Sequence, residues 1–332
     1  MEILVGLILS VAAAVVPIAV YSLLMWWADR YEREPLWLLG VAFLWGAIPA
    51  IILAVITGLV ISGSLEEGST SVLYYCIEAP IVEEFVKGLA VLGLFVFHRK
   101  QFDGVLDGLV YGALVGFGFS MTEDFVYYLS ALSEGGLAGL LPVMVLRGIF
   151  FALNHSVYTG LLGIGFGLAS VSRSRFRRVM WPVLGFVAAV ICHSLHNFGS
   201  WLVATYIEGE NAALGALGLL LSLAFAALGL VLIFSVVIGA WFFQRRIIKE
   251  ELTTLVGKLL TDQEFKELST EWTQPVACGK PATLRKRKLV QLALRQRRLK
   301  SAGSGNEQNL VIETGRLYHE LQVSFVDASS LA

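Results

Sequence analysis

The segment Glu78-Ala79-Pro80-Ile81-Val82-Glu83-Glu84-Phe85-Val86-Lys87-Gly88 places three carboxylates and one ammonium inside an apolar run from about Ser71 to Phe97. An ionisable group at the depth of a bilayer costs several kcal/mol unless it faces a bundle interior, pairs with another group or lines water. Glu83 and Lys87 lie four apart and share a helical face, so a structural ion pair accounts for one acid and one base. That pair leaves Glu84 unexplained. A second carboxylate beside the first, in lipid-like sequence, points to a built site.

The rest of the chain has the matching character. Its 332 residues are 56% hydrophobic and only 15% charged, whereas soluble domains carry about 25% charged residues. This excludes an ordinary soluble enzyme and predicts an all-α, polytopic integral membrane helix bundle. Cys76, Cys192 and Cys278 are too widely separated for a disulfide framework or a Cys-x-x-Cys metal site. The apolar run that follows Met1-Glu2-Ile3 has no basic n-region and reaches Trp27, so it reads as a first spanning helix and not as a signal peptide.

Runs of about twenty apolar residues suffice to cross a bilayer. We count seven, at about 3–27, 36–61, 72–97, 104–130, 137–170, 180–206 and 212–243, with room for an eighth because two of them are long enough to be broken. Lys and Arg mark the inner side of a membrane protein. Arg30 and Arg33, Arg99 and Lys100, Arg173 to Arg178, and Arg245 to Lys249 all fall in alternate connections. The intervening ones contain none and carry Glu66, Glu67, Glu134, Glu208 and Glu210 instead. The expectation is a multi-pass cell-membrane protein with its N-terminus outside and its C-terminus in the cytoplasm.

Two regions follow from the charge pattern: a transmembrane region over 1–243 and a basic C-terminal region over 244–332, partly helical or flexible. In the second, Leu284-Arg285-Lys286-Arg287-Lys288-Leu289-Val290 through Lys300 interleaves leucines with cations. It suits either the anionic face of a lipid bilayer or a solvated helix. Nucleic acid is not an expected partner for such a tethered tail. Ser301 to Asn306 has the composition of a flexible linker.

Polar residues recur within the other apolar runs. Gly104, Gly108, Gly112, Gly116 and Gly118 form a small-residue stripe ahead of Glu123-Asp124. Arg147 and Asn154-His155 lie in the next run, and His193 and Asn197 share a face in the one after. Glu83, Glu84, His155 and His193 fall near mid-span, with Glu123 displaced outward by about 10 Å at 1.5 Å per residue. Arg147 is the natural partner of Glu123 or Asp124, Asp103 and Asp107 at the cytoplasmic end read as interface or capping residues, and Glu78, ahead of Pro80, as the cap of a helix restart. Two chemistries suit this set, and both hydrolyse an amide. One is a zinc site with Glu84, His155 and His193 as ligands and a further glutamate as general base. The other is metal-free, with a glutamate activating water while a histidine or Asn197 stabilises the oxyanion.

At this point the chain resembles a family, the PrsW-type intramembrane proteases, distant relatives of the type II CAAX prenyl endopeptidases. The resemblance is carried by Asp29 to Pro35, by Glu83-Glu84-Phe85-Val86-Lys87 as an EExxK motif, by Phe102 to Gly108 with Gly118 to Glu123, by His155 with its glycine-rich continuation, and by His193 to Asn197. It implies a membrane fold of seven or eight helices and proteolysis at or within the bilayer. Glu83 and Glu84 would be catalytic, with Glu123, His155 and His193 completing the site. The implied substrate is a single-span, membrane-anchored protein such as an anti-sigma factor. Asp124 stands where the family usually has Asn, and His196 where an aromatic is common. The alternative from the residues alone is a proton- or cation-coupled transporter, which should show inverted repeats or paired broken helices. The sequence shows neither.

Overall fold

The computed structural model describes residues 1–63, 72–99, 101–270, 281–301 and 307–330. Lys100, Glu66, Glu67, Cys278 and residues 302–306 of the expected linker lie outside the described residues. Among the described residues the architecture is all-helical. The helices are α1 (Glu2–Ala28), α2 (Leu36–Trp45), α3 (Ile51–Gly63), α4 (Ala79–Phe97), α5 (Val105–Val145), α6 (Asn154–Ser170), α7 (Arg175–Tyr206), α8 (Ala212–Thr253), α9 (Asp262–Thr270), α10 (Pro281–Ser301) and α11 (Glu307–Ser330). Five-residue π-helical turns precede α3, α4 and α6, at Gly46–Ala50, Tyr74–Glu78 and Leu146–Phe150.

The chain divides into two compact units, one formed by Met1–Ala28 with Glu34–Ser235, the other by Asp29–Arg33 with Val236–Ala332. The first is inverted relative to a water-soluble domain. Large apolar side chains such as Leu24, Phe85, Phe97 and Leu220 point outward, while Glu84, Lys87, Asp124, His155 and His193 are buried. This is the arrangement that a hydrocarbon solvent selects, since lipid takes the leucines and the interior must take the charges. Among the described residues, five helical stretches are long and apolar enough to cross a membrane: Glu2–Ala28, Leu36–Ile61, Val105–Ser170, Arg175–Tyr206 and Ala212–Thr253. Together they make a multi-pass membrane protein. α4 carries Glu83, Glu84 and Lys87 within its 19 residues.

The stretch Val105–Ser170 is broken in two places. Gly136 adopts φ +59°, a conformation that glycine alone takes at little cost. Phe151 to Leu153 then leaves the helix before α6 begins at Asn154. The expected cap at Glu78 is not formed. Glu78 keeps helical φ and ψ and makes no capping hydrogen bond, because the π-helical turn runs directly into α4. Pro80 sits in the first turn of α4, where a missing N–H goes unnoticed. Asp107 does act as a cap, its Oδ2 accepting from the Asp103 N–H at 2.9 Å.

α5 and α6 meet backbone to backbone along the glycine stripe. A methyl group on Gly116 would overlap the His155 carbonyl, and one on Gly112 the Thr159 carbonyl. Glycine there is a requirement of close approach, and it fixes where the side chains of α6 arrive. On the other side of α5, Thr122 donates to the Ala47 carbonyl at 2.8 Å, in the π-helical turn before α3. The Tyr111 hydroxyl donates to Glu34 Oε2 at 2.5 Å.

The second unit has a conventional core of Ile248, Leu252, Leu259, Leu289, Val290 and Leu292, joined by Tyr31 from the short segment before α2. The basic run forms α10, and its apolar face is spent inside this core, with Leu289, Val290, Leu292 and Ala293 fully buried. Its cations are matched by acids of the same unit. Arg285 pairs with Glu264 at 3.0 Å, Lys286 with Glu267 at 2.8 Å and Lys300 with Glu251 at 2.6 Å, while Arg298 meets Glu32. The leucines that suggested a leaflet-binding helix therefore serve as core.

Candidate active site

Four helices bring one polar cluster together. α4 contributes Glu83, Glu84 and Lys87, which fall on adjoining faces of one turn. Lys87 is fully buried, its Nζ 2.5 Å from Glu84 Oε1 and 3.7 Å from Glu83 Oε2. α5 contributes Glu123 and Asp124. α6 contributes His155, Tyr158 and Thr159, and α7 contributes His193.

The contacts form a chain. The Thr159 hydroxyl donates to Glu84 Oε2 at 3.0 Å, and His193 Nδ1 lies 3.0 Å from Glu84 Oε1. Both oxygens of Glu84 are thus engaged, and the side chain is fully buried. His155 Nδ1 lies 3.0 Å from the Lys87 ammonium, which can only donate, so Nδ1 is the acceptor and Nε2 carries the proton. That proton points to Glu123 Oε2 at 2.9 Å. Arg147, from the π-helical turn before α6, pairs with Glu123 and with Asp124 Oδ1, the latter at 2.6 Å.

Glu83 differs from its neighbour. Its Oε2 is buried yet has no hydrogen-bond partner, with Lys87 Nζ and His193 Nε2 at 3.7 and 3.8 Å. One oxygen of Glu83 and one nitrogen each of His155 and His193 lie within 4.8 Å of one another, the spacing of a metal-binding trio. Each imidazole also has one nitrogen on a carboxylate, His155 Nε2 on Glu123 and His193 Nδ1 on Glu84, which leaves His155 Nδ1 and His193 Nε2 as the nitrogens a metal could take in the outer-shell pattern of metal-bound histidines. Formally, four carboxylates (Glu83, Glu84, Glu123, Asp124) face two cations (Lys87, Arg147), a deficit that a divalent ion would close.

The PrsW profile, described as the PrsW family intramembrane metalloprotease, matches residues 34–238. The chain belongs to that family. Protease PrsW of Geobacillus kaustophilus (strain HTA426) is 28% identical over 176 residues, 53% of this chain and 71% of the relative. Protease PrsW of Clostridioides difficile (strain 630) is 26% identical over 186 residues, 56% of this chain and 76% of the relative. Protease PrsW of Bacillus subtilis (strain 168) is 26% identical over 171 residues, 51% of this chain and 72% of the relative. No solved structure matches the chain.

Within this PrsW-family fold, Glu83, Glu84, Glu123, His155 and His193 come together as one cluster. Asn197 stands apart in its contacts: its Nδ2 donates to the Tyr75 carbonyl at 3.0 Å, joining α7 to the π-helical turn before α4. His196 meets Asn154 at 3.2 Å and packs on Phe151. Glu123 was expected about 10 Å, nearly two turns, above the other groups, yet it touches His155. The reason is the break at Phe151 to Leu153, which makes His155 the second residue of α6 and not a mid-span one. The sequence reading missed Thr159 and Tyr158, the latter stacked on the His193 ring at 4.8 Å and 17°. Both lie three or four residues after His155, so a one-turn reading along α6 would have found them.

Proposed function

We propose that this chain is an intramembrane endopeptidase that hydrolyses a peptide bond of a single-span, membrane-anchored protein, an anti-sigma factor or another regulator, with metal assistance. The observation that carries the reading is the trio Glu83, His155 and His193, converging within 4.8 Å with each imidazole oriented by a carboxylate. The donor set fits a zinc-type ion: two imidazole nitrogens and one unpartnered buried carboxylate oxygen. This assigns the carboxylate ligand to Glu83 and keeps Glu84, with both oxygens engaged, as the group that orients His193. A divalent ion held there would polarise the scissile carbonyl and acidify a water molecule.

The chain's own residues then have separate tasks. Glu84, held by Lys87 and Thr159, fixes the tautomer and direction of His193. Glu123, steadied by Arg147, does the same for His155. Its side chain is 21% exposed whereas that of Glu84 is fully buried, so Glu123 is assigned the proton from the attacking water. Asn197 and Arg147 position helices and carboxylates. In this reading the bundle crosses the membrane seven times, with α4 counted beside α1, α2–α3, α5, α6, α7 and α8, and the positive-inside pattern of the connections supports an N-terminus outside and a C-terminus in the cytoplasm. The family match offers no support for the transporter alternative.

The test compares membrane-protein N-termini in cells carrying the wild-type chain or Glu83→Ala at matched levels. A new N-terminus beside a transmembrane segment, seen with the wild type alone, is the expected result. Identical N-termini under several envelope stresses would overturn the reading.

A further inference from the structure

The Lys87 ammonium occupies an unusual position. It is fully buried, lies 4.2 Å above the Phe119 ring, and makes contacts at 3.0 Å to His155 Nδ1 and 3.7 Å to Glu83 Oε2. These are atoms of two of the three groups assigned above to the metal. The lone pair on His155 Nδ1 is the only one that imidazole can give a metal without surrendering its proton on Nε2 to the Glu123 contact. A cation and the ammonium cannot both hold that lone pair.

Resting on the metal-assisted reading, we propose that Lys87 is an internal, displaceable cation that competes with the divalent ion for His155 Nδ1 and Glu83. Loading then requires the ammonium to leave Nδ1. Glu84 Oε1 at 2.5 Å gives it somewhere to stay, and the Phe119 ring adds a cation–π surface beside it. The buried carboxylates are never left without a positive charge, which would be costly in this medium. The consequence is a site that stays folded without metal, at the expense of weaker metal affinity.

The test titrates zinc chloride into the purified full chain in detergent, as wild type, Lys87→Met and Lys87→Arg, by equilibrium dialysis. Lys87→Met removes the competitor while keeping the stem, and should bind zinc more tightly than wild type. Lys87→Arg keeps the charge and should bind no more tightly than wild type. Zinc taken up by exposed Cys and His of an unfolded chain would also appear in the Glu83→Gln, His193→Gln background, so a purely structural role for Lys87 predicts no gain above that background.

A second measurement uses the wild type alone, should Lys87→Met fail to accumulate. In the ¹⁵N-histidine-labelled chain, zinc should move His155 Nδ1 to a metal-bound resonance and leave Nε2 protonated. Zinc on Nε2 with Nδ1 unchanged would overturn the competition, as would equal or weaker zinc affinity in a folded Lys87→Met chain. Both of those outcomes leave the metalloprotease reading standing. Absence of zinc binding above the Glu83→Gln, His193→Gln background, in every variant, would remove that reading and this proposal with it.

Discussion

His193 Nδ1 lies 3.0 Å from Glu84 Oε1, and both side chains are buried between α4 and α7. This contact separates the surroundings of two adjacent glutamates. Glu84 is closed off by Lys87, Thr159 and His193, whereas Glu83 keeps an unpartnered oxygen.

The two glutamines therefore have different consequences. Glu84→Gln presents an amide to the Lys87 ammonium and takes away its nearer counter-ion, at 2.5 Å, leaving that buried charge only Glu83 at 3.7 Å. Breaking one side of a buried pair costs about 3–5 kcal/mol, so the variant should lose thermal stability in detergent and accumulate poorly. Glu83→Gln removes no hydrogen bond and should be destabilised less than Glu84→Gln, since it disturbs only the contacts at 3.7 and 3.8 Å. Its cleavage of substrate should nonetheless vanish. Thermal unfolding paired with cleavage yield checks both, and equal destabilisation of the two variants would refute the division of roles.

The bundle and the central acids were legible because lipid-like sequence tolerates so few charges that each one stands out. Glu83, Glu84 and His193 each sit in an otherwise apolar run, and the glycine stripe announced the contact between α5 and α6. The depth of His155 was not legible. The break that sets it falls on Phe151-Ala152-Leu153, which contains neither Gly nor Pro and gives no local signal. Tyr31 was hidden for a different reason. Its core neighbours lie more than two hundred residues further along the chain, and no short-range pattern records such a contact. α10 misled because its cations are obvious in sequence while the acids that neutralise them come from α8, α9, α11 and Glu32.

The α5–α6 contact yields a packing prediction. Gly116→Ala drives a methyl group into the backbone of His155 and Ser156, which cannot yield without moving the start of α6. Overpacking of this kind costs about 1–3 kcal/mol. Activity should fall further than stability does, because His155 itself moves. Gly93→Ala, with no atom within 4 Å of the added carbon, is the matched control and should leave both unchanged. Cleavage yield and thermal midpoint of the two variants give the comparison.

Tyr31 makes the second unit testable by itself. It is 7% exposed and packs in the cluster of Ile248, Leu252 and Leu289. Truncating a buried aromatic to alanine costs about 3–5 kcal/mol. Tyr31→Ala should therefore expose α9 to α11 to limited proteolysis, with cuts within 254–301, while Phe176→Ala, an outward-facing aromatic of the first unit, should not. Equal resistance of wild type and Tyr31→Ala would show that the core holds without this residue.

Glu123 separates holding a metal from using it. In Glu123→Gln the side-chain oxygen can still accept from His155 Nε2, so the imidazole keeps its direction and zinc affinity should fall by about 10–100-fold, as for other outer-shell changes. The amide cannot take up a proton. Raising zinc to saturation should consequently restore metal content in Glu123→Gln without restoring cleavage. Glu83→Gln should gain neither at the same concentration, because a ligand itself is missing. Zinc content and substrate cleavage, measured on the same preparations across a zinc series, give the answer. Recovery of cleavage in saturated Glu123→Gln would reduce Glu123 to an orienting group and return the proton to another carboxylate of the cluster.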